Sequence, residues 1–368
     1  MNTRGAPDAL APWGKIGGQA VTYDLMTFGE AMVRLTAPDH RRLEQAQRLD
    51  VSVGGAEWNV AINGARLGLK TAWVSRLVDN WSGRLITGEA RRHGVDTSHV
   101  VWVKFDGVGR VRNGFYHLEI GAGPRSSAVT YDRGHTAVSE MTADMVDWKA
   151  LLAGCRWLHA SGITPALSPA LAETTETVFR AAAECGVRTS YDLNYRGKLW
   201  TPEEARKANA RIVPHVEVLI GSEEDFEKCL GIAAPQTGKD YSDLDPEGYK
   251  DVVREAAKRF PNVRMVGTTL RNARTGLLND WRTLLYDGRE FHLSRVYENL
   301  ELVDRVGGGD AFSSAVIYAM LEGWTPEKAN EFAAAYSALA HTFPGDLNWA
   351  TRDEALKVMA GGGARIAR

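Results

Sequence analysis

Cysteine is scarce: Cys155, Cys185 and Cys229 are the only three among 368 residues, they lie far apart, and none belongs to a Cys-x-x-Cys pair. An odd count at such spacing excludes a disulfide-stapled module and suits a reducing cytosol. Neither sign of charge is in excess, with 44 Lys and Arg against 46 Asp and Glu for a net charge of -2. No broad field therefore recruits nucleic acid or an anionic membrane, and the expected partner is a small molecule. No apolar run approaches the ~20 residues that span a bilayer. Residues 1–21 lack the basic start and continuous apolar stretch of a secretory signal, so a cytoplasmic protein is expected. Several catalytic signatures are missing too: there is no Gly-x-x-x-x-Gly-Lys-Ser/Thr loop, no Gly-x-Ser-x-Gly elbow and no His-Glu-x-x-His helix. Gly121-Ala122-Gly123 lacks the third glycine of a dinucleotide fingerprint and leads into a strand pattern, which argues against a dehydrogenase. Internal repeats and low-complexity tracts are also absent.

What is present is a core-forming chain, 44% hydrophobic, in which strand and helix patterns alternate. Strands are expected at Leu25–Phe28, Thr71–Leu77, Trp157–Ser161, Arg188–Leu193, Val216–Ile220 and Val263–Thr269. Helical periodicity fills the spaces between them, at Trp58–Leu67, Trp81–His93, Pro169–Cys185, Pro202–Ile212, Ser222–Leu230 and Tyr249–Phe260. This is an α/β pattern with a mainly parallel sheet. Val33–Val53 and Val100–Tyr131 break it with short, glycine-punctuated alternating segments, which suggests strands outside the main sheet, in the manner of a lid. Residues 1–22 read as a loose extension before a domain over 23–368, with lid strands drawn from about 33–53 and 100–133. Pro235–Pro246 reads as a polar surface insertion.

One run carries chemistry. Val303-Asp304-Arg305-Val306-Gly307-Gly308-Gly309-Asp310-Ala311-Phe312 precedes a long helical pattern. Three glycines let backbone N–H groups converge, and the helix start adds its positive dipole end, so the corner attracts anions. A carboxylate there would repel a phosphate unless it serves as base for the attacking group. The other reading makes Gly307–Gly309 an ordinary loop and Asp310 an N-cap.

Gly54-Gly55-Ala56-Glu57-Trp58-Asn59-Val60-Ala61 near the start, paired with Asp304–Phe312 near the end, resembles the two signatures of the PfkB/ribokinase family of carbohydrate kinases. The resemblance spans about Tyr23 to Ala360 and implies a ribokinase-like, doubly wound, mainly parallel sheet flanked by helices, with a small β-strand lid. Asp192-Leu193-Asn194-Tyr195-Arg196-Gly197-Lys198-Leu199-Trp200, Tyr131-Asp132-Arg133 and Gly114-Phe115-Tyr116 resemble the 2-keto-3-deoxygluconate kinase branch of that family. A sugar acid needs a cation of matched geometry, and the planar fork of Arg133 or Arg196 suits a carboxylate; either arginine could equally serve a structural salt bridge. By the resemblance, Gly54, Gly55, Asn59, Tyr116 and Tyr131 contact substrate hydroxyls. Trp58, bulkier than the small residue common at that position, is expected to reshape the sugar pocket.

On the nucleotide side the resemblance implies ATP and Mg²⁺, with room for a monovalent cation. Ser222 stands where relatives carry asparagine, with Glu223 or Glu224 reaching the metal through water; acidic residues there also suit a helix N-terminus without any metal. Thr269 and Arg271 match the stretch that meets phosphates, and Ser337 on the helix Glu327–Thr342 is expected to face the adenine pocket, where Ala334 replaces a common asparagine. The implied reaction is ATP-dependent phosphorylation of the terminal hydroxyl of a sugar acid, 2-keto-3-deoxygluconate first. Asp310 is the expected base, and the N–H groups of Gly307, Gly308 and Gly309 hold developing charge. A kinase for another sugar (fructose, ribose, 5-dehydro-2-deoxygluconate) and a non-catalytic sugar-acid sensor on the same fold remain open. Exposed lid strands imply a homodimer.

Overall fold

Neighbouring residues on a strand point to opposite faces, so Leu25 and Met26, Trp157 and Leu158, Val218 and Leu219, and Met265 and Val266 each demand cover on both sides of one sheet. The computed structural model describes residues 21–233 and 246–362 and supplies that cover with two helical layers. In chain order the elements are β1 Leu25–Phe28, β2 Met32–Ala37, β3 Asp50–Gly54, α1 Ala56–Arg66, β4 Thr71–Asp79, α2 Trp81–Arg92, β5 Val100–Lys104, β6 Gly114–Glu119 and β7 Ala128–Asp132. There follow α3 Trp148–Ala153, β8 Trp157–Ser161, α4 Ile163–Ala166, α5 Pro169–Glu184, β9 Arg188–Asp192, α6 Pro202–Ile212, β10 Val218–Ile220, α7 Glu223–Leu230 and α8 Pro246–Arg259. The last are β11 Met265–Ala273, β12 Leu278–Tyr286, β13 Phe291–Leu293, β14 Tyr297–Glu301, α9 Gly308–Leu321, α10 Pro326–Ala340 and α11 Arg352–Met359.

The main sheet has 10 strands in the order β13-β12-β11-β10-β9-β8-β1-β4-β5, with β14 also on β12. It is parallel from β11 to β5, and β12 and β13 extend it antiparallel. Leu25, Trp157, Val218 and Met265 pack with α9 and α10 on one face, while Met26, Leu158, Leu219 and Val266 pack with α5 and α8 on the other. Helix starts are set locally: Ser168, Thr201 and Thr325 each cap a helix that carries proline in its first turn.

A second sheet of four strands, ordered β3-β2-β6-β7, forms the lid. Its register places Arg34 of β2 beside Tyr116 of β6, and Tyr116 beside Tyr131 of β7, in one row across the sheet. Val33 and Val53 face the other way and join Trp58, Trp73 and Ile86 in a third core cluster.

Two expectations need correction here. Val100–Lys104 is not a lid strand; it pairs parallel with β4, whose nine residues offer a long backbone edge to cover. Trp58 does not reshape the sugar pocket, because it is fully buried in the core between lid and main sheet. Trp58→Ala should therefore cost roughly 3–5 kcal/mol of stability with little change in sugar KM, as denaturant unfolding beside steady-state kinetics will read. The antiparallel extension through β12, β13 and β14 was not anticipated from the sequence. The insertion expected at 235–246 lies outside the described residues apart from Pro246, which opens α8, and so does the N-terminal extension apart from Val21 and Thr22.

Candidate active site

Strand order reverses between β1 and β8, since the chain builds outward through β4 on one side and through β9 and β10 on the other. Ligands of open α/β sheets bind beyond the carboxyl ends of strands at such a switch point. The lid sheet hangs over this place, and a cavity of about 730 Å³ lies between them. Strand ends supply its floor: Glu30 follows β1, Ile163 follows β8, Asp192 and Asn194 close β9, Gly221 follows β10, and Thr269 and Arg271 lie on β11.

The glycine corner forms the back of the cavity. Gly307 has φ +86°, the left-handed region, and caps α9. A Cβ on Gly307 would overlap the Asp346 carbonyl, one on Gly308 would overlap the His341 imidazole, and Gly309 faces open space. Asp310 falls in the first turn of α9, and the Asn59 side-chain amide donates to it at 2.6 Å. Burial pushes the Asp310 carboxyl up to about 7, Asn59 works against that rise, Asp346 and Glu57 add to it, and Arg196 opposes it. Asp192 is driven well above the usual carboxylate range by burial and next by Asp225 and Asp310. Glu57, raised by burial, accepts from the Ser161 and Thr164 hydroxyls and ties α1 to the end of β8. Asp310 is thus a carboxylate poised near neutrality at a helix N-terminus, facing a cleft, which is what a general base requires.

The lid side of the cavity presents Tyr116, Tyr131 and Arg133, with the Tyr116 and Tyr131 rings 6.2 Å apart. Arg133 is already paired: its Nε donates to Glu30 Oε2 at 2.9 Å, a second nitrogen bonds the same oxygen, and its guanidinium lies 4.9 Å from the Tyr131 ring centre. Arg196, in contrast, is exposed at the cavity edge and, among the described residues, its side chain bonds only the Tyr195 carbonyl. Lys198 of the same loop donates to the Val129 carbonyl of β7, linking this loop to the lid. Gly55 and Asn59 line the cavity, but Gly54 does not. A Cβ on Gly54 would overlap the Asp346 carboxylate and the Tyr116 hydroxyl, so its role is close packing, which corrects its assignment to substrate.

The opposite wall carries Thr269, Arg271 and Arg305. Burial, and after it Arg305 and Arg196, push the Arg271 guanidinium below its ordinary value, so these cations converge on one region. Such a cluster favours a bound polyanion. Ser222 lines the cavity as the cap of α7; its hydroxyl donates to Asp225 Oδ2 at 2.7 Å and accepts from the Asp225 N–H. Ser337 does not face the cavity. It is fully buried, accepting from Trp281 Nε1 at 2.8 Å and donating to the Ala334 carbonyl, and the wall in front of it is built from Trp281 and His341. His341 Nδ1 donates to the Ser337 carbonyl at 2.8 Å, and burial lowers its pKa to about 4, so a neutral ring leaves Nε2 as an acceptor beside Gly308. Among the described residues no group of three or more His, Cys, Asp or Glu could hold a metal ion. Mg²⁺ bound through phosphate oxygens and water needs only one or two carboxylates, and Glu223 and Glu224 both line the cavity.

Sequence reasoning missed Glu30, Arg34 and Asp346 and gave Asp304 no role. Arg34 sits between Asp304 and Asp346, bonding Asp346 Oδ1 at 2.7 Å, and Tyr116 donates to the same oxygen at 2.6 Å. Burial opposes the charge on Arg34, yet Asp346 and Asp304 outweigh it. The only available signals were a charge inside the alternating segment Val33–Val53 and the Pro344-Gly345-Asp346 run.

Comparison with known proteins agrees with this geometry. The family model described as pfkB family carbohydrate kinase matches residues 23–351. The chain is 36% identical to a 2-dehydro-3-deoxygalactonokinase of Haloferax volcanii over 95% of its own length and 100% of that protein. It is 28% identical to a 2-dehydro-3-deoxygluconokinase of Bacillus subtilis over 88% and 91% of the two chains. A solved structure of 2-dehydro-3-deoxygluconokinase from Thermotoga maritima superposes with a TM-score of 0.86 at 41% identity, covering 92% of this chain and 99% of that one. On its sheet order, its glycine corner and these likenesses, the chain belongs to the pfkB family of carbohydrate kinases.

Proposed function

We propose that this kinase transfers the γ-phosphoryl group of Mg·ATP to the terminal hydroxyl of a 2-keto-3-deoxy sugar acid, with 2-keto-3-deoxygluconate and its galactonate epimer as the leading substrates. The observation that carries the reading is Asp310, poised near neutral pH beneath a glycine corner and between a lid rich in tyrosine and arginine and a wall of cations. The terminal hydroxyl, held within reach of Asp310, gives it a proton as its oxygen attacks phosphorus in line. The N–H groups at Gly307–Gly309 and the start of α9 hold the developing charge, assisted by Arg271 and Arg305. Mg²⁺ supplies charge neutralisation on the phosphates, and Glu223 and Glu224 are the residues that would hold its waters. The lid excludes water and so limits wasteful ATP hydrolysis.

The sugar carboxylate falls to Arg196, a guanidinium at the sugar end with no carboxylate partner among the described residues, with Arg133 presenting its remaining N–H groups from the lid. Arg196→Ala should weaken use of the keto acid by roughly 1.5–3 kcal/mol in kcat/KM and leave the KM for ATP nearly unchanged. Equal losses for both substrates would remove Arg196 from this role. Arg133→Ala is a poorer probe, since it strands Glu30 as a buried charge.

A coupled ADP-release assay with both keto-deoxy acids, 5-dehydro-2-deoxygluconate, fructose, ribose and gluconate tests the substrate class. Turnover confined to the keto-deoxy acids is expected; preference for a neutral sugar would refute it. A homodimer through the lid belongs to the same reading. The edges of β3 and β7 are open among the described residues, Val51 of β3 is exposed, and so is Trp81, which packs against Phe115 of β6. Light scattering should give twice the chain mass, and a monomer mass at all concentrations would contradict it.

A further inference from the structure

We infer that Arg34 is a positioning residue for the transfer: its guanidinium ties the lid sheet to both chain segments that frame the glycine corner, and it offsets the charge of Asp346 beside Asp310. The inference rests on the reading of Asp310 as the base. Arg34, Asp304 and Asp346 are 1%, 3% and 5% exposed, so three charges are held away from water. Desolvation makes such a triad a poor source of stability compared with apolar packing, and its use lies in the geometry it fixes. That geometry reaches the site at three points. Asp304 begins the segment that enters the corner, accepting from the Val306 and Gly345 N–H groups, both at 3.1 Å. Asp346 lies with its backbone carbonyl against Gly307, so any shift of Asp346 is felt at the first glycine. Arg34 itself belongs to β2 and is paired in register with Tyr116, the aromatic that the lid lays on the sugar side.

Asn59 links Asp346 to Asp310. Its amide nitrogen donates to Asp310 at 2.6 Å and to Asp346 Oδ2 at 3.4 Å, so the two hydrogens of one amide join two carboxylates. Arg34 and the Tyr116 hydroxyl both engage Asp346 Oδ1, which fixes that side chain and sets a positive charge against it. The charged groups facing Asp310 are Glu57 from α1, Asp346 from the segment after α10, and Arg196 from the loop after β9, with Asp192 at the end of β9. Facing Arg34 are Asp304, Asp346 and the Tyr116 hydroxyl, with Thr36 accepting from its Nε at 2.8 Å. Removing Arg34 leaves the charge of Asp346 uncompensated near Asp310, and that makes the base harder to ionise.

The test is Arg34→Ala, with kcat, both KM values and the pH profile of kcat/KM measured per folded molecule. Expected are a kcat lower by roughly 10–100-fold, a nearly unchanged KM for ATP, an acid limb displaced to higher pH, and partial recovery on adding guanidinium ion. In Arg34→Ala/Asp346→Asn the limb should return toward that of the parent enzyme while kcat stays low. An acid limb and kcat unmoved in Arg34→Ala overturn the inference. If Arg34→Ala does not fold, Arg34→Met/Asp304→Asn/Asp346→Asn removes every stranded charge; low kcat is then expected, and parental kcat overturns the inference. The outcomes separate from those of the parent reading, since turnover by Asp310→Asn would defeat the base assignment itself, whatever Arg34 does.

Discussion

Asp310→Asn is expected to lower kcat by roughly 10³–10⁴-fold while leaving sugar and ATP affinities within a few-fold of the parent, because it removes a proton acceptor without changing shape. Loss of affinity with turnover retained would take Asp310 out of the mechanism. The same substitution should stabilise the protein. The folded-state pKa of Asp310 lies at about 7, above the ordinary 3.8, so the native state holds a proton that the unfolded chain releases. Folding stability contributed by this site therefore falls as pH rises from about 4 to about 7 and is constant above. Asp310→Asn should gain on the order of 1–3 kcal/mol over the parent above neutrality, and the gain should vanish as pH falls toward 4, as thermal unfolding at several pH values will show. In the parent enzyme, kcat/KM should fall with acidification through about 7 as the base is protonated. A profile flat down to pH 5 would place the base elsewhere.

Gly307→Ala carries the second large effect. The residue needs φ +86°, and a Cβ would meet the Asp346 carbonyl, so the corner must open to accept one methyl group. Displacing an N–H donor from developing charge costs on the order of 10²–10³-fold in kcat, with the KM for the sugar changing far less. Gly309→Ala isolates steric access, since a Cβ there meets no protein atom within 4 Å and leaves the backbone in place, so any loss comes from a methyl group entering the cavity. Equal losses at both positions would mean that steric access, and not the placement of backbone donors, limits the reaction.

The main sheet was legible because its strands are buried on both faces and separated by capped helices, which leaves short apolar runs at regular spacing. The corner was legible because three glycines beside an aspartate are a local signal. Arg34 was not legible: a charged residue in a lid strand reads as the solvent face, and its partners Asp304 and Asp346 are 270 and 312 residues away in sequence. Val100–Lys104 was misplaced for a related reason, since a half-exposed alternating strand looks the same at the edge of a main sheet and in a lid. Ser337 was misjudged because helical periodicity does not say which face of α10 meets the cleft; Trp281, from a strand not foreseen, covers it. In each case the missing information was a pairing between distant segments.

The most direct test of the account is the position of the transferred phosphate. The enzyme is incubated with Mg·ATP and 2-keto-3-deoxygluconate or its galactonate epimer, and the product is read by phosphorus–proton correlated NMR. Phosphorus coupled to the C6 methylene protons of the keto acid is the predicted result. ADP and inorganic phosphate without a phosphoester, or phosphorus coupled at another carbon, would contradict it.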